Sequence, residues 1–172
     1  IYYHQGKQIA SRSEASVLAE ADGLARHKAF KGTIADIGGP TANMYGMACA
    51  EAATCVRESC LFPSPCAKLP ADHSRIIGLM EGVLRWQGGQ KRKLSSFVAS
   101  GIRHDLAIKS RDYMQLLAGH FVGGHLKVAP EHYCPRVLSL MHKPGFEVFE
   151  EFEARFAEAS GRAGKEQYLV PY

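Results

Sequence analysis

Apolar residues recur at helical spacing in several stretches, with short β-branched runs between them. From Ser13, the set Val17, Leu18, Ala21 and Leu24 predicts an amphipathic helix that Ser11 or Ser13 can cap. Thr33 to Ile37 predicts a short strand that stops at Gly38-Gly39-Pro40. Ile76, Ile77, Leu79, Met80 and Val83 predict a second helix, capped by Asp72 or Ser74 and ended by Gly88-Gly89. Ser95 to Ala99 reads as a strand, Asp112 to His120 as a helix, and His125 to Ala129 as a strand closed by Pro130. After Pro135 a short helix carries Val137, Leu138 and Met141. A longer one, Glu147 to Ser160, sets Phe149, Phe152 and Phe156 on one side as core. Tyr168 to Val170 reads as a last, buried strand. The stretch from Met44 to Ala71 has no clean period and predicts an irregular loop with room for a short helix.

Strands separated by helices imply parallel pairing through right-handed crossovers. Both a barrel and an open doubly wound sheet satisfy that order. A full eight-unit barrel takes ~250 residues, about 30 per unit. The Ser95 and His125 strand starts lie one such unit apart, and the loop over 44–71 lengthens the unit before them. Polar residues gather where the strands end: Asp36 with Gly38, Gly39, Pro40 and Thr41; Ser100 with Arg103; Lys127 with Glu131 and His132. In parallel α/β folds ligand chemistry sits at that edge, although ordinary βα turns are polar too.

Composition changes the picture little. The 172 residues are 46% hydrophobic and 22% charged, which suits one folded domain. A net charge of +4 does not mark a nucleic-acid binder. No apolar run approaches the ~20 residues of a membrane helix, and no secretory layout precedes the first helix, so a soluble cytosolic protein with reduced thiols is expected. A start at Ile1 and an end on a strand suggest an excised segment.

Four of the five cysteines, Cys49, Cys55, Cys60 and Cys66, follow C-x5-C-x4-C-x5-C. Thiolates are soft anionic donors for zinc or iron–sulfur clusters, but these spacings exceed the two-to-four-residue knuckles of zinc ribbons. Ordinary reduced thiols are the alternative, and Cys134 reads as a lone thiol. Gly38-Gly39 lets backbone approach a ligand closely. It is neither a Walker loop nor a dinucleotide fingerprint. Arg103 suits bidentate recognition of a carboxylate or phosphate, or else pairs with Asp105 at the surface. Glu131 and His132 suit acid–base work or ligand binding. His4, His104, His120, His125 and His142 are scattered and read as structural, and Lys91-Arg92-Lys93 as a solvated turn, with a phosphate or RNA contact as its alternative.

Longer strings carry a resemblance. His4-Gln5-Gly6 with Ser11-Arg12-Ser13, Asp36-Ile-Gly-Gly-Pro-Thr-Ala-Asn-Met-Tyr, Cys60-Leu-Phe-Pro-Ser-Pro-Cys, Ala99-Ser-Gly-Ile-Arg-His-Asp-Leu, Leu126-Lys-Val-Ala-Pro-Glu-His, Met141-His-Lys-Pro-Gly and Gly164-Lys-Glu-Gln-Tyr-Leu-Val-Pro-Tyr together resemble the YgiQ family of radical SAM proteins. The resemblance runs from end to end. It implies a segment of a partial (β/α)6 TIM-like barrel, with about four parallel strands and a Cys-rich insertion. It further implies a parent enzyme whose 4Fe–4S cluster cleaves S-adenosylmethionine to a 5′-deoxyadenosyl radical acting on an unassigned substrate. The C-x3-C-x2-C cluster loop is not in this sequence, so the chain resembles the middle of the barrel, with neighbouring segments on both sides, and is expected to be inert alone. By position, Gly38, Gly39, Pro40 and Thr41 resemble the Gly-Gly-Glu turn that binds the methionyl amino group, with Pro in place of the acid. Ser100 and Arg103 become candidates for the methionyl carboxylate, and Glu131 and His132 for the ribose or substrate. Cys49, Cys55, Cys60 and Cys66 become an accessory site for an additional cluster or zinc. The rivals from other classes are a metal-stabilised binding module, with RNA as a candidate ligand, and a barrel hydrolase built on Glu131 and His132.

Overall fold

The computed structural model describes residues 10–39 and 41–172. Helix α1 spans Glu14–Arg26, and the Ser13 hydroxyl accepts the Ser16 N–H to cap it. Strand β1 is Thr33–Ile34, and a 3-10 turn follows at Ala42–Met44. Helix α2 is Ser74–Gly88 and strand β2 is Ser95–Ser96. Two short helices, α3 (His104–Ala107) and α4 (Arg111–Leu116), lead to strand β3, His125–Val128. Helix α5 (Pro135–Leu140), helix α6 (Phe146–Arg162) and strand β4 (Tyr168–Pro171) complete the chain.

The strands pair in parallel, β1 with β2 and β3 with β4, and a parallel bridge from Ile102 to Val128 brings the two pairs together. The fold is therefore mixed α/β, and no barrel is closed among the described residues. One cluster joins sheet to helices: Val98, Ile102, Leu126 and Val128 meet Leu79, Met80 and Val83 of α2, Tyr113 and Met114 of α4, and Phe149, Phe152 and Phe156 of α6. Among the described residues, one face of the β3–β4 pair is covered. Along β3, Leu126 and Val128 are buried while His125 and Lys127 are exposed. Along β4, Leu169 alone packs against the core, and Tyr168 and Val170 face outward. The expected buried last strand is thus corrected: alternation on a sheet dressed on one side leaves every second residue in water. Leu24, expected on the inner face of α1, is exposed as well.

Three further departures have local causes. The β1–β2 ladder is shorter than the β-branched runs because the Asp36 carboxylate takes over from backbone: Oδ1 accepts the N–H groups of Ala99 (2.8 Å) and Ser100 (3.3 Å). The helix expected over 112–120 opens after Leu116 into a wider π turn, Leu117–Phe121. The Gln167 amide then reaches the freed carbonyls of Ala118 (3.0 Å) and Val122 (2.8 Å) and docks the start of β4. Helix α3 falls where only a strand end was expected, and all four of its residues are buried. No helix among the described residues is long and apolar enough to cross a membrane.

Candidate functional site

The loops leaving the C-terminal ends of the strands enclose a cleft of about 240 Å³ lined by Thr41, Arg103, Glu131, Lys143, Pro144 and Tyr172, among others. Three expected site residues, Thr41, Arg103 and Glu131, meet there. Lys143 and Tyr172 carried no sequence signal of their own. The only clue to Lys143 was its place in the Met141-His-Lys-Pro-Gly string.

Behind the cleft the first two loops are tied together. Asp36 also accepts the Ser100 hydroxyl, so that hydroxyl is spent on holding the loops rather than turned to a ligand. Gly38 lies in this seam: a Cβ there would stand 3.1 Å from both Ala42 Cβ and Asp36 Oδ1. Pro40 lies outside the described residues, as do His4, Gln5 and Gly6. Asn43, in the 3-10 turn, is fully buried. Its Oδ1 accepts the Arg103 N–H (2.8 Å) and its Nδ2 donates to the Arg103 carbonyl (2.9 Å). The same amide reaches His73 Nε2 at 3.2 Å, and His73 Nδ1 lies 3.1 Å from the Ala71 carbonyl. An Nδ1–H donor leaves Nε2 as acceptor, so the chain of bonds closes with a neutral ring. Burial lowers the His73 pKa and keeps it in that form. Nothing in the sequence marks this clamp, because Asn43 and His73 lie 30 residues apart and meet only in the fold.

Two ion pairs set the electrostatics. Arg103 donates through Nε (2.9 Å) and one terminal nitrogen (2.5 Å) to the Asp105 carboxylate. The pair anticipated at the surface is sequestered: the side chains are 19% and 5% exposed. Lys143 pairs with Glu131 at 2.9 Å. The cleft thus presents both signs at nearly balanced charge. Glu131 (φ 69°) and His142 (φ 54°), beside Lys143, both hold left-handed backbone. Non-glycine residues persist in that region chiefly where surrounding structure over-determines them. His132 is turned away: its Nδ1 accepts the Cys134 N–H (2.8 Å), and its ring stacks on Tyr133.

His104 lies behind Arg103, 4% exposed and packed edge-on against Phe149. Burial drives its pKa down to about 4, with Arg103 and Lys143 lowering it further and Asp105 opposing. In the unfolded chain it returns to ~6.5, so the unfolded state binds the extra proton between those values. Stability is fully present above pH 6.5 and is expected to fall by about 2–3 kcal/mol as pH drops to 4. Urea midpoints across that range check this, and His104→Gln should flatten the profile.

Cys49, Cys55, Cys60 and Cys66 are half-buried free thiols in the irregular loop before α2, and none of them lines the cleft. Among the described residues, no three ligating side chains are gathered into one coordination sphere. The Cys60 pKa is raised, chiefly by burial and further by its neighbours Cys66, Cys49 and Cys55, with Arg57 opposing. Leu61, Leu69 and Ala71 seat the loop on Met44, Met47 and Leu106, and Phe62 stacks on His142 at 4.7 Å.

Comparison with known proteins gives the setting. The chain is 48% identical over its whole length to a UPF0313 protein of Geobacter sulfurreducens, of which it spans 28%. It is 43% identical over 98% of its length to one of Methanocella arvoryzae (28% of that protein) and 45% identical over 98% to one of Vibrio vulnificus (22%). No family model and no solved structure matches. The chain is therefore similar, from end to end, to one part of the UPF0313 proteins, the designation that the YgiQ family carries, and spans about a quarter of their length.

Proposed function

We propose that this chain is the central part of a partial β/α barrel in a cytosolic radical SAM enzyme, and that its cleft holds S-adenosylmethionine. The observation that carries the reading is the cleft itself, at the C-terminal ends of parallel strands, with cationic and anionic side chains converging on it. The end-to-end similarity to one part of much longer proteins supports it.

The residues of this chain do not fit a radical SAM cluster, because none of its cysteines has C-x3-C-x2-C spacing. A 4Fe–4S cluster belongs, in this reading, to the parent protein, where it supplies the electron for cleavage. The chain's own part is binding. The methionyl group of S-adenosylmethionine is a zwitterion, and the cleft offers a partner to each end. Lys143 donates to Glu131 and has two further N–H groups for a carboxylate. Arg103 keeps the terminal nitrogen that Asp105 does not take. Glu131 is the acceptor for an ammonium or ribose hydroxyl; Gly38 and Gly39 lie outside the lining of the cleft. Ser100 and His132 are bound elsewhere and serve the loops. The substrate that receives the radical stays open.

The test is anaerobic reconstitution of the full-length Geobacter sulfurreducens relative followed by chemical reduction. Formation of 5′-deoxyadenosine and methionine from S-adenosylmethionine is expected. A protein that takes up its cluster yet releases no 5′-deoxyadenosine would overturn the reading.

A further inference from the structure

We propose that the end of the fold opposite the cleft is a basic surface that holds the phosphodiester backbone of a nucleic acid without regard to its sequence. Two connections build it, from α1 into β1 and from α2 into β2. This surface is separate from the S-adenosylmethionine reading and holds or fails on its own.

The positive charge of the chain is concentrated there. Residues 22–32 and 88–96 carry six cations (Arg26, Lys28, Lys31, Lys91, Arg92 and Lys93) against one carboxylate, Asp22, a balance of +5 beside +4 for all 172 residues. The rest of the chain is therefore nearly neutral, and the total gives no sign of the patch. The fold brings the two connections together. Arg92 donates to the carbonyls of Ala25 (2.8 Å) and Phe30 (3.1 Å), and its guanidinium lies 5.0 Å over the Phe30 ring. The Ser95 N–H reaches the Gly32 carbonyl at 3.0 Å. Gly32 has φ 94°, and a Cβ there would stand 3.3 Å from the Lys93 carbonyl, so glycine is what lets the connections lie this close. Strands β1 and β2 start here and run toward the cleft, which places surface and cleft at opposite ends of the pair.

Arg92 is spent on holding the connections, and Arg26 pairs with Asp22 at 2.6 Å. Lys28, Lys31, Lys91 and Lys93 are exposed and have no carboxylate partner among the described residues. Unpaired ammonium groups gathered on one face repel one another and attract a polyanion. The partner's chemistry follows from what surrounds them. Leu24 is the only large apolar side chain exposed over these residues. The surface therefore lacks the apolar core of a protein interface and the apolar anchor that membrane binding adds to charge. Lysines are mobile point charges suited to phosphates spaced along a strand. The Phe30 ring is covered by Arg92 rather than offered to a base, so backbone charge and not base sequence is what the surface recognises.

The experiment uses the whole 172-residue chain under reducing conditions. Fluorescence anisotropy follows its binding to a labelled single-stranded RNA of about 20 nucleotides and to the DNA of the same sequence. The tighter of the two identifies the nucleic acid, and either supports the surface. The logarithm of the affinity should fall with that of the salt concentration at a slope of about −3, from four contacts at ~0.7 each. Lys28→Gln/Lys31→Gln and Lys91→Gln/Lys93→Gln should each halve the slope and weaken binding about tenfold or more. Lys109→Gln/Arg136→Gln removes the same charge from exposed positions elsewhere and should bind as the parent chain does. Circular dichroism checks that each variant is folded. Equal weakening in all three double variants would reduce the effect to net charge and overturn the proposal. So would tighter capture of polyglutamate or of phosphatidylglycerol vesicles than of either nucleic acid, or no binding at about 50 mM salt.

Discussion

Asn43→Ala is expected to lower the unfolding free energy by about 2–4 kcal/mol, since it orphans both the Arg103 N–H and the Arg103 carbonyl at a buried site. The cost arises from desolvated groups left without partners rather than from lost apolar contact. Asn43→Asp separates the two bonds. A carboxylate still accepts the Arg103 N–H but faces the Arg103 carbonyl and His73 Nε2 without a proton to give. It should fall between the parent and Ala, and recover toward mildly acidic pH as His73 becomes a donor. Urea unfolding of the three proteins measures this. A loss below about 1 kcal/mol for Asn43→Ala would mean that water replaces the amide and that the clamp does not hold Arg103.

Phe152→Ala should be the most damaging apolar truncation, at about 3–5 kcal/mol. Phe152 has no exposed surface, stacks on Phe156 with ring centroids 6.0 Å apart, and lies 6.1 Å from the His104 ring. Removing it leaves a cavity between α6 and α3 that close-packed neighbours fill only in part. It also hydrates His104, so the acid sensitivity of the parent should weaken in the same variant. Urea unfolding at pH 7 and pH 5 tests both effects. A variant that loses stability yet keeps the full acid slope would show that His104 owes its low pKa to other neighbours.

The periodic parts of this chain were legible. Phe149, Phe152 and Phe156 recur at helical spacing and are core, and the breakers Gly88-Gly89 and Pro130 end the elements they were expected to end. The strand ends that line the cleft were legible as well, because polar residues followed each β-branched run, although ordinary turns share that pattern. What could not be read was which polar group each would meet. The Arg103–Asp105 pair was one of two readings open for Arg103, but its burial, at 19% and 5% exposure, was not legible. Ser100 looked free, yet Asp36, far away in sequence, takes its hydroxyl. Asn43, His73 and Lys143 gave no signal because their partners come from other loops, and only the tertiary fold brings those together.

Two left-handed residues, Glu131 itself and His142 beside Lys143, bear on how such a protein can change. Each costs about 1–3 kcal/mol that the rest of the fold must offset. Glycine at Glu131 or His142 would remove that cost, so a search for hardier variants should be drawn to these positions. What it gained in thermal tolerance it would surrender in the pair: glycine at 131 deletes the carboxylate, and glycine at 142 frees the backbone next to Lys143. Robustness and function are set against each other at these two residues, and their retention under selection for stability alone would be a sign that the cleft is in use.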